Sequence, residues 1–256
     1  MKPLQLTAER ARSIVLHAGG LIRKGQFGKG KDAVYKLIRH LAFVQIDTNY
    51  VVERAHHHTI AARVPDYQTQ WLEELQNEGK IIEYWTYATG FMPMDAFRFT
   101  LPVRNAFAQR RKALPQTEAN LMNRILDRIG REGPLMARDF ENDRTTKSTG
   151  WWDWRPSKVA LERLFFDGRL AVTRRKDFQK RYDLTENVVP ADVDQTPPTT
   201  NEYERHVIIT SLKALGIGSA KDGVYRARYV RNNTVKRTLQ SMVSTKEVLQ
   251  VTVAGV

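Results

Sequence analysis

Apolar positions along the chain follow a helical period that gives way to strand-like alternation, and this change recurs three times. Leu72 and Leu75 put two apolar groups on one helix face, and after Gly79 residues 80–85 alternate as a strand does. Leu161 and Leu164 repeat this ahead of Gly168 and residues 169–174, and a weaker copy sets Leu239 and Met242 before residues 246–252. Gly79 and Gly168 stand where a helix ends in a left-handed residue, a conformation glycine adopts without a Cβ clash. Single copies of helix, glycine and strand occur in many α/β units. Three in one chain predict a tandem array of winged helices, in which a recognition helix passes into its wing in this way.

Helices are expected upstream of each copy. Ala8, Ala11, Val15 and Ala18 mark one over residues 7–19, stopped by Gly19 and Gly20. Asp32 can cap a second that carries Val34, Leu37, Ile38 and Leu41. Leu121, Ile125 and Ile129 form a stripe ending at Gly133 and Pro134, residues 135–140 read as a short helix, and Pro156 with Ser157 as cap opens a helix over 158–167. Pro190, Pro197 and Pro198 argue against regular structure over 189–200. The expected fold is therefore α+β and mainly helical, built from tandem winged-helix (helix-turn-helix) units. The expected organisation is a first unit over 1–110, a second over 111–190, a linker over 191–200 and a third, apparently truncated unit over 201–256.

Composition narrows the class of partner. Lys and Arg number 41 against 28 Asp and Glu, a formal charge of +13 spread along the chain, which points to a polyanion such as nucleic acid. With no cysteine, disulfides, thiolate metal sites and thiol catalysis are excluded. Charges at Lys2, Glu9, Arg10 and Arg12 leave no apolar core for a signal peptide, and no apolar run is long enough to span a bilayer. A cytoplasmic monomer is expected, associated with the nucleoid if the source is bacterial.

The chain carries no Walker loop, Rossmann fingerprint, HExxH or nucleophile elbow. Gly25, Gly28 and Gly30 lie among Lys24, Lys29 and Lys31 after a helix, so the segment reads as a basic loop able to touch phosphate. Around Val44 and Ile46 the alternation turns Gln45 and Asp47 to one face, about 7 Å apart along a strand. An amide and a carboxylate so placed can hold one water. Taken alone, the residues favour a plainer assignment, with Asp47 capping the next helix and Gln45 a surface group. His56, His57 and His58 diverge by about 100° each on a helix, which suits packing or phosphate contact better than metal. Trp85, Trp151, Trp152 and Trp154 can stack on bases or pack internally. Arg174, Arg175, Lys176, Lys180 and Arg181 surround Phe178 in a hairpin, either a basic wing on DNA phosphates or a solvated turn.

Several ordered segments together carry a resemblance. They are Phe43 to Thr48 with Gln45 and Asp47, Arg54 to Thr59 with the three histidines, Arg63-Val64-Pro65, Glu83-Tyr84-Trp85 with Ala88, Trp151 to Lys158 with Ala160-Leu161-Glu162, and Phe178 to Glu186. In these the chain closely resembles the AlkZ/YcaQ family of winged-helix DNA glycosylases that repair interstrand crosslinks. The resemblance implies a concave DNA-binding surface made of tandem winged helices and a catalytic pair at Gln45 and Asp47, in the Gln-apolar-Asp form of the YcaQ-like branch. The implied activity is monofunctional hydrolysis of the N-glycosidic bond of N7-alkylated purines, crosslinked guanine included, in double-stranded DNA, with no metal or other cofactor. Asp47 would stabilise the oxocarbenium-like sugar or take a proton from the attacking water, which Gln45 orients. Arg54 and Lys158 join the histidines, Trp85, Trp151 and the basic residues named above as expected DNA contacts. Two departures from the family are expected: Tyr87 occupies a position where a histidine is expected, and the family's C-terminal β-rich domain is expected to be absent. A winged-helix transcription regulator without chemistry, or a truncated relative that only binds DNA, would share the charge and the fold.

Overall fold

In the computed structural model, residues 3–111, 114–140, 155–176, 178–219 and 232–255 are described. Trp151, Trp152 and Trp154 lie outside them. In chain order the elements are β1 (Leu4–Leu6), α1 (Ala8–Ala18), α2 (Gly30–Leu41), β2 (Val44–Gln45), α3 (Ala55–Ala61), α4 (Gln70–Asn77), β3 (Ile81–Trp85) and β4 (Thr89–Pro93). A 3-10 helix (Met94–Thr100) follows, then α5 (Leu101–Arg111), α6 (Gln116–Glu132), β5 (Leu135–Met136), a 3-10 turn (Ala137–Asp139), α7 (Pro156–Phe166) and β6 (Leu170–Lys176). β7 (Gln179–Leu184), α8 (Thr185–Val188), α9 (Thr200–Leu215), α10 (Asn232–Ser244) and β8 (Val251–Val253) complete the chain. The result is a mixed, mainly helical α/β protein. Among the described residues no helix is long and apolar enough to cross a membrane.

Two compact units emerge, and they are not consecutive blocks of sequence. The first gathers Met1–Trp71, Thr86–Pro93 and Pro198–Val256. Its centre is α2, which buries Ala33, Val34, Leu37, Ile38 and Leu41 and packs against α9 and β4. Each of the four larger side chains contributes about 1.5–3 kcal/mol by leaving water. Asp32 does not cap this helix. It lies in the first turn, where its charge favours the positive helix end, and the cap position is Lys29. Thr7 does cap α1, accepting a hydrogen bond from the Arg10 amide, but α1 buries no residue fully and leaves Val15 exposed. α9 starts from a reciprocal box between Thr199 and Glu202, so regular structure resumes at the end of the expected linker. Ile208 on α9 closes a small core with Val235 and Met242 of α10, beside a buried hydrogen bond of 2.6 Å from Thr238 to Glu204. The third helix-and-strand copy is present as α10 and β8, with Lys246 rather than glycine in the left-handed position. Its strand pairs in parallel with β1, Leu4 opposite Val251 and Leu6 opposite Val253, and so joins the start of the chain.

The second unit comprises Leu72–Trp85 and Met94–Pro197. Its sheet runs β3-β6-β7-β5 with every neighbour antiparallel. Helices α6 and α7 cover it, burying Met122, Ile125, Leu126 and Ile129 from one and Ala160, Leu161, Leu164 and Phe165 from the other. Met122, not Leu121, continues the α6 stripe inward. Gly79 and Gly168 both have positive φ, 65° and 82°, at the turns that lead into β3 and β6. Residues 135–140 differ from expectation: Leu135 and Met136 pair with Tyr182 and Arg181, and Asp139 draws the following turn tight by accepting from the Met136 amide at 2.7 Å. Ser157 is likewise no cap. It is buried inside α7, whose cap position is Arg155 and whose first residue is Pro156.

Candidate active site

Strand β2 ends at Gln45, and Asp47 follows two residues beyond it. Val44 and Ile46 point into the core of the first unit, Gln45 is exposed and Asp47 half-buried, as two-residue alternation requires. β4 fixes the register, with Val44 opposite Phe91, Gln45 opposite Gly90, and the Ile46 amide donating 2.8 Å to the Thr89 carbonyl. Gly90 has to be glycine here. A Cβ would stand 2.3 Å from the Phe43 ring, which lies over it and contacts the Tyr87 ring at 4.7 Å.

Asp47 does not cap a helix. Its Oδ1 accepts from the Asn49 amide at 2.8 Å, and its own amide donates to His56 Nδ1 at 3.5 Å. α3 begins later, with Arg54 in the cap position and no side-chain cap. Arg54 is committed to the intervening loop: Nη1 donates 3.0 Å to the Thr48 carbonyl, and the guanidinium lies 5.3 Å from the Tyr50 ring centre.

The histidines diverge along α3. His56 is buried against Phe91 and His57, His57 is half-buried, and only His58 is exposed. His57 Nδ1 and the Tyr67 hydroxyl are 2.6 Å apart. Burial, with the Glu53 charge adding to it, raises the Tyr67 pKa, so the phenol keeps its proton. Burial lowers the pKa of His57 as well, against an opposing pull from Glu53 and with help from Arg54 and His58, which favours the neutral ring. Among the described residues no group of three or more His, Asp or Glu side chains is arranged to hold a metal ion.

Asp66, beside Tyr67, accepts from the Gly30 amide at 2.9 Å and so fastens the glycine loop to the same neighbourhood. Lys24 and Lys29 are exposed on that loop, and Lys31 is half-buried at the start of α2. Asp66, Tyr67 and Glu53 carried no signal in sequence that would have singled them out. Their partners are brought to them by the fold.

A family model described as "DNA glycosylase AlkZ-like" matches residues 38–256. The chain belongs to the AlkZ-like DNA glycosylase family. The solved structure of Streptomyces sahachiroi DNA glycosylase AlkZ is similar to it, with a TM-score of 0.63 and 12% identity over 93% of this chain. At that identity the likeness concerns the fold. The chain spans 66% of the length of that structure. Gln45, Asp47, the histidines and the hairpin all lie inside the family match, whereas Lys24, Lys29 and Lys31 precede it.

The remaining candidates belong to the second unit, and most are engaged within it. Trp85 packs edge-on against Phe107 and Phe166, at 5.7 Å from each. Arg175 grips the fully buried Glu83 with two hydrogen bonds, 2.7 and 2.8 Å, and donates a third of 2.8 Å to the Phe178 carbonyl. Burial alone lowers a guanidinium pKa, but the Glu83 charge and hydrogen bonds outweigh it and Arg175 is raised. Lys180 donates to Glu162 at 2.7 Å, Arg181 to the Pro134 carbonyl at 2.9 Å, and Arg174 faces Glu73 at 3.3 Å. Lys158 is half-buried in the first turn of α7. Lys176 ends β6, opposite Gln179.

Proposed function

We propose that this protein is a monofunctional DNA glycosylase that hydrolyses the N-glycosidic bond of N7-alkylated purines, including crosslinked guanine, in double-stranded DNA. The observation that carries this reading is the Gln45 and Asp47 pair at the end of β2, an exposed amide on the strand and a half-buried carboxylate two residues beyond it, in a segment that β4 holds through Val44, Gln45 and the Ile46 amide. The charge of +13 supports a duplex as partner. The order α6, β5, 3-10 turn, α7 and the β6-β7 hairpin agrees with a winged-helix unit, and we take the three helix-and-strand copies as parts of one DNA-reading array.

N7-alkylation leaves a cationic base that departs readily, so the chemical demand falls on the sugar. As the bond to the base breaks, C1' gains oxocarbenium character, and Asp47 stabilises it or takes a proton from the water that attacks it. Gln45 holds that water through its amide. Hydrolysis gives the free base and an abasic site, with no covalent intermediate and no strand break.

The test is release of N7-methylguanine from a duplex oligonucleotide by the native protein and by Asp47→Asn. Asparagine keeps an oxygen that accepts from the Asn49 amide, so the loop is retained and only the charge is lost. Release is expected to fall by a factor of about a hundred or more with unchanged DNA affinity. Equal release from both proteins removes Asp47 from the mechanism. DNA binding with no release from any alkylated duplex leaves a binding protein of the same fold.

A further inference from the structure

The loop leaving Asp47 carries an apolar tip that the chemistry above does not use. Tyr50, Val51 and Val52 are 63%, 89% and 78% exposed, an unusual arrangement for successive large apolar residues in a chain this rich in charge. Its base is braced on both sides. Asp47 accepts from the Asn49 amide, Arg54 donates to the Thr48 carbonyl and lies against the Tyr50 ring, and Tyr50 and Arg54 form an isolated antiparallel bridge. The tip is thus held out from the unit, and the residue that anchors its base is the carboxylate assigned to catalysis. Val51 is four steps along the chain from Asp47, about 14 Å at full extension, so a tip next to this site meets whatever the site acts on.

We infer that residues 50–52 form a wedge that enters the base stack beside the lesion, with Val51 and Val52 inserted between bases and Arg54 at the flanking backbone. The inference rests on the glycosylase reading for its partner. Two arguments favour a base stack over a protein surface as the occupant: the tip is continuous with Gln45 and Asp47, and the chain's surplus of positive charge attracts the polyanion that encloses such a stack. Apolar side chains inserted at a base step unstack it and kink the duplex, which exposes a base to groups at the foot of the wedge.

The test uses the full chain and a duplex holding a tetrahydrofuran abasic analogue with 2-aminopurine as its neighbour, so that no catalysis is needed for the signal. Native protein and Asp47→Asn are expected to raise 2-aminopurine fluorescence. Val51→Ser/Val52→Ser is expected to abolish the rise and to bind this duplex roughly tenfold or more weakly, whereas Val51→Leu/Val52→Leu keeps both. These positions are exposed, so thermal stability should hold in every variant. A rise of equal size in the serine variant, or none with native protein, overturns the wedge. So does a change in oligomeric state on serine substitution without any effect on the fluorescence, which would mark the tip as a contact between copies. Release of N7-methylguanine is measured in parallel. Release without unstacking sinks the wedge alone, while unstacking that depends on the valines without release sinks the glycosylase reading alone.

Discussion

Arg175 separates two accounts of the basic hairpin by experiment. As a phosphate contact it should be dispensable for stability. In the structure it donates to both carboxylate oxygens of Glu83, which lies on β3 with no exposure to water. Arg175→Ala therefore leaves a buried carboxylate without its cation, a change that costs about 3–5 kcal/mol where buried pairs are broken from one side. For a chain of this size that corresponds to a fall in Tm of about 6–20 °C. Exchange of both partners, Glu83→Leu with Arg175→Met, should recover most of the loss, because desolvation of two charges offsets much of what the pair contributes. Calorimetric melting of the native protein, Glu83→Leu, Arg175→Met and the double variant gives the coupling, and fluorescence anisotropy of native protein and Arg175→Ala on undamaged duplex across a salt series gives the electrostatic contribution. An unchanged Tm in Arg175→Ala, together with a salt dependence shallower by about one ion, refutes the structural role and returns Arg175 to the DNA interface.

Gly90→Ala should destabilise the first unit by about 1–3 kcal/mol, since its methyl group collides with the Phe43 ring, and Phe43→Ala in the same chain should relieve part of this; chemical denaturation of the single and double variants reads both. His57 predicts a pH dependence. Its folded pKa lies below the ordinary 6.5, so the unfolded chain binds the proton first, and stability should be fully present above pH 6.5 and decline as pH falls below it toward the folded value. Melting temperatures measured from pH 7.5 to 5 should show that decline in the native protein and a flatter profile in His57→Gln; parallel profiles would remove His57 as the cause.

Local periodicity made the helices that pack on their own neighbours legible. Leu161 and Leu164 with Gly168 describe α7 and its exit into β6, and Gly79 does the same for α4 and β3, because a left-handed glycine after an apolar stripe is a chain-local requirement. What misled was short and depended on partners. Residues 135–140 have enough apolar content for a helical turn, but Tyr182 and Arg181 of β7 capture the first two as a strand. The strand expected over 246–252 starts only at Val251, and its partner is β1 at the other end of the chain. The site divides in the same way. The alternation of buried Val44 and Ile46 with more exposed Gln45 and Asp47 is present, but the strand stops at Gln45, and the cap assigned to Asp47 fails because the chain makes a braced loop before α3 starts. Tyr67 and Asp66 were invisible, since what matters about each is a side chain or amide brought to it from His57 and Gly30.

The pairing of basic residues also bears on where DNA is held. A charge of +13 describes the sum, but a guanidinium closed onto a buried carboxylate, as Arg175 is on Glu83, presents little net field to a phosphate, and opening that pair is costly. In the second unit Arg174, Arg175 and Lys180 each face a glutamate, so a count of cations on the hairpin overstates its pull. In the first unit Lys24 and Lys29 stand exposed on a loop whose backbone is tied through Gly30 to Asp66, and His58 is the exposed member of its trio. That loop, fastened beside Tyr67 and through it to the histidines, brings exposed cations to the same unit as Gln45 and Asp47. Charge that attracts a phosphate backbone contributes most to catalysis where it also sets the register of the scissile sugar. If Asp47 acts as proposed, the exposed lysines of the glycine loop, in the same unit, are the cations to substitute first in a test of DNA affinity.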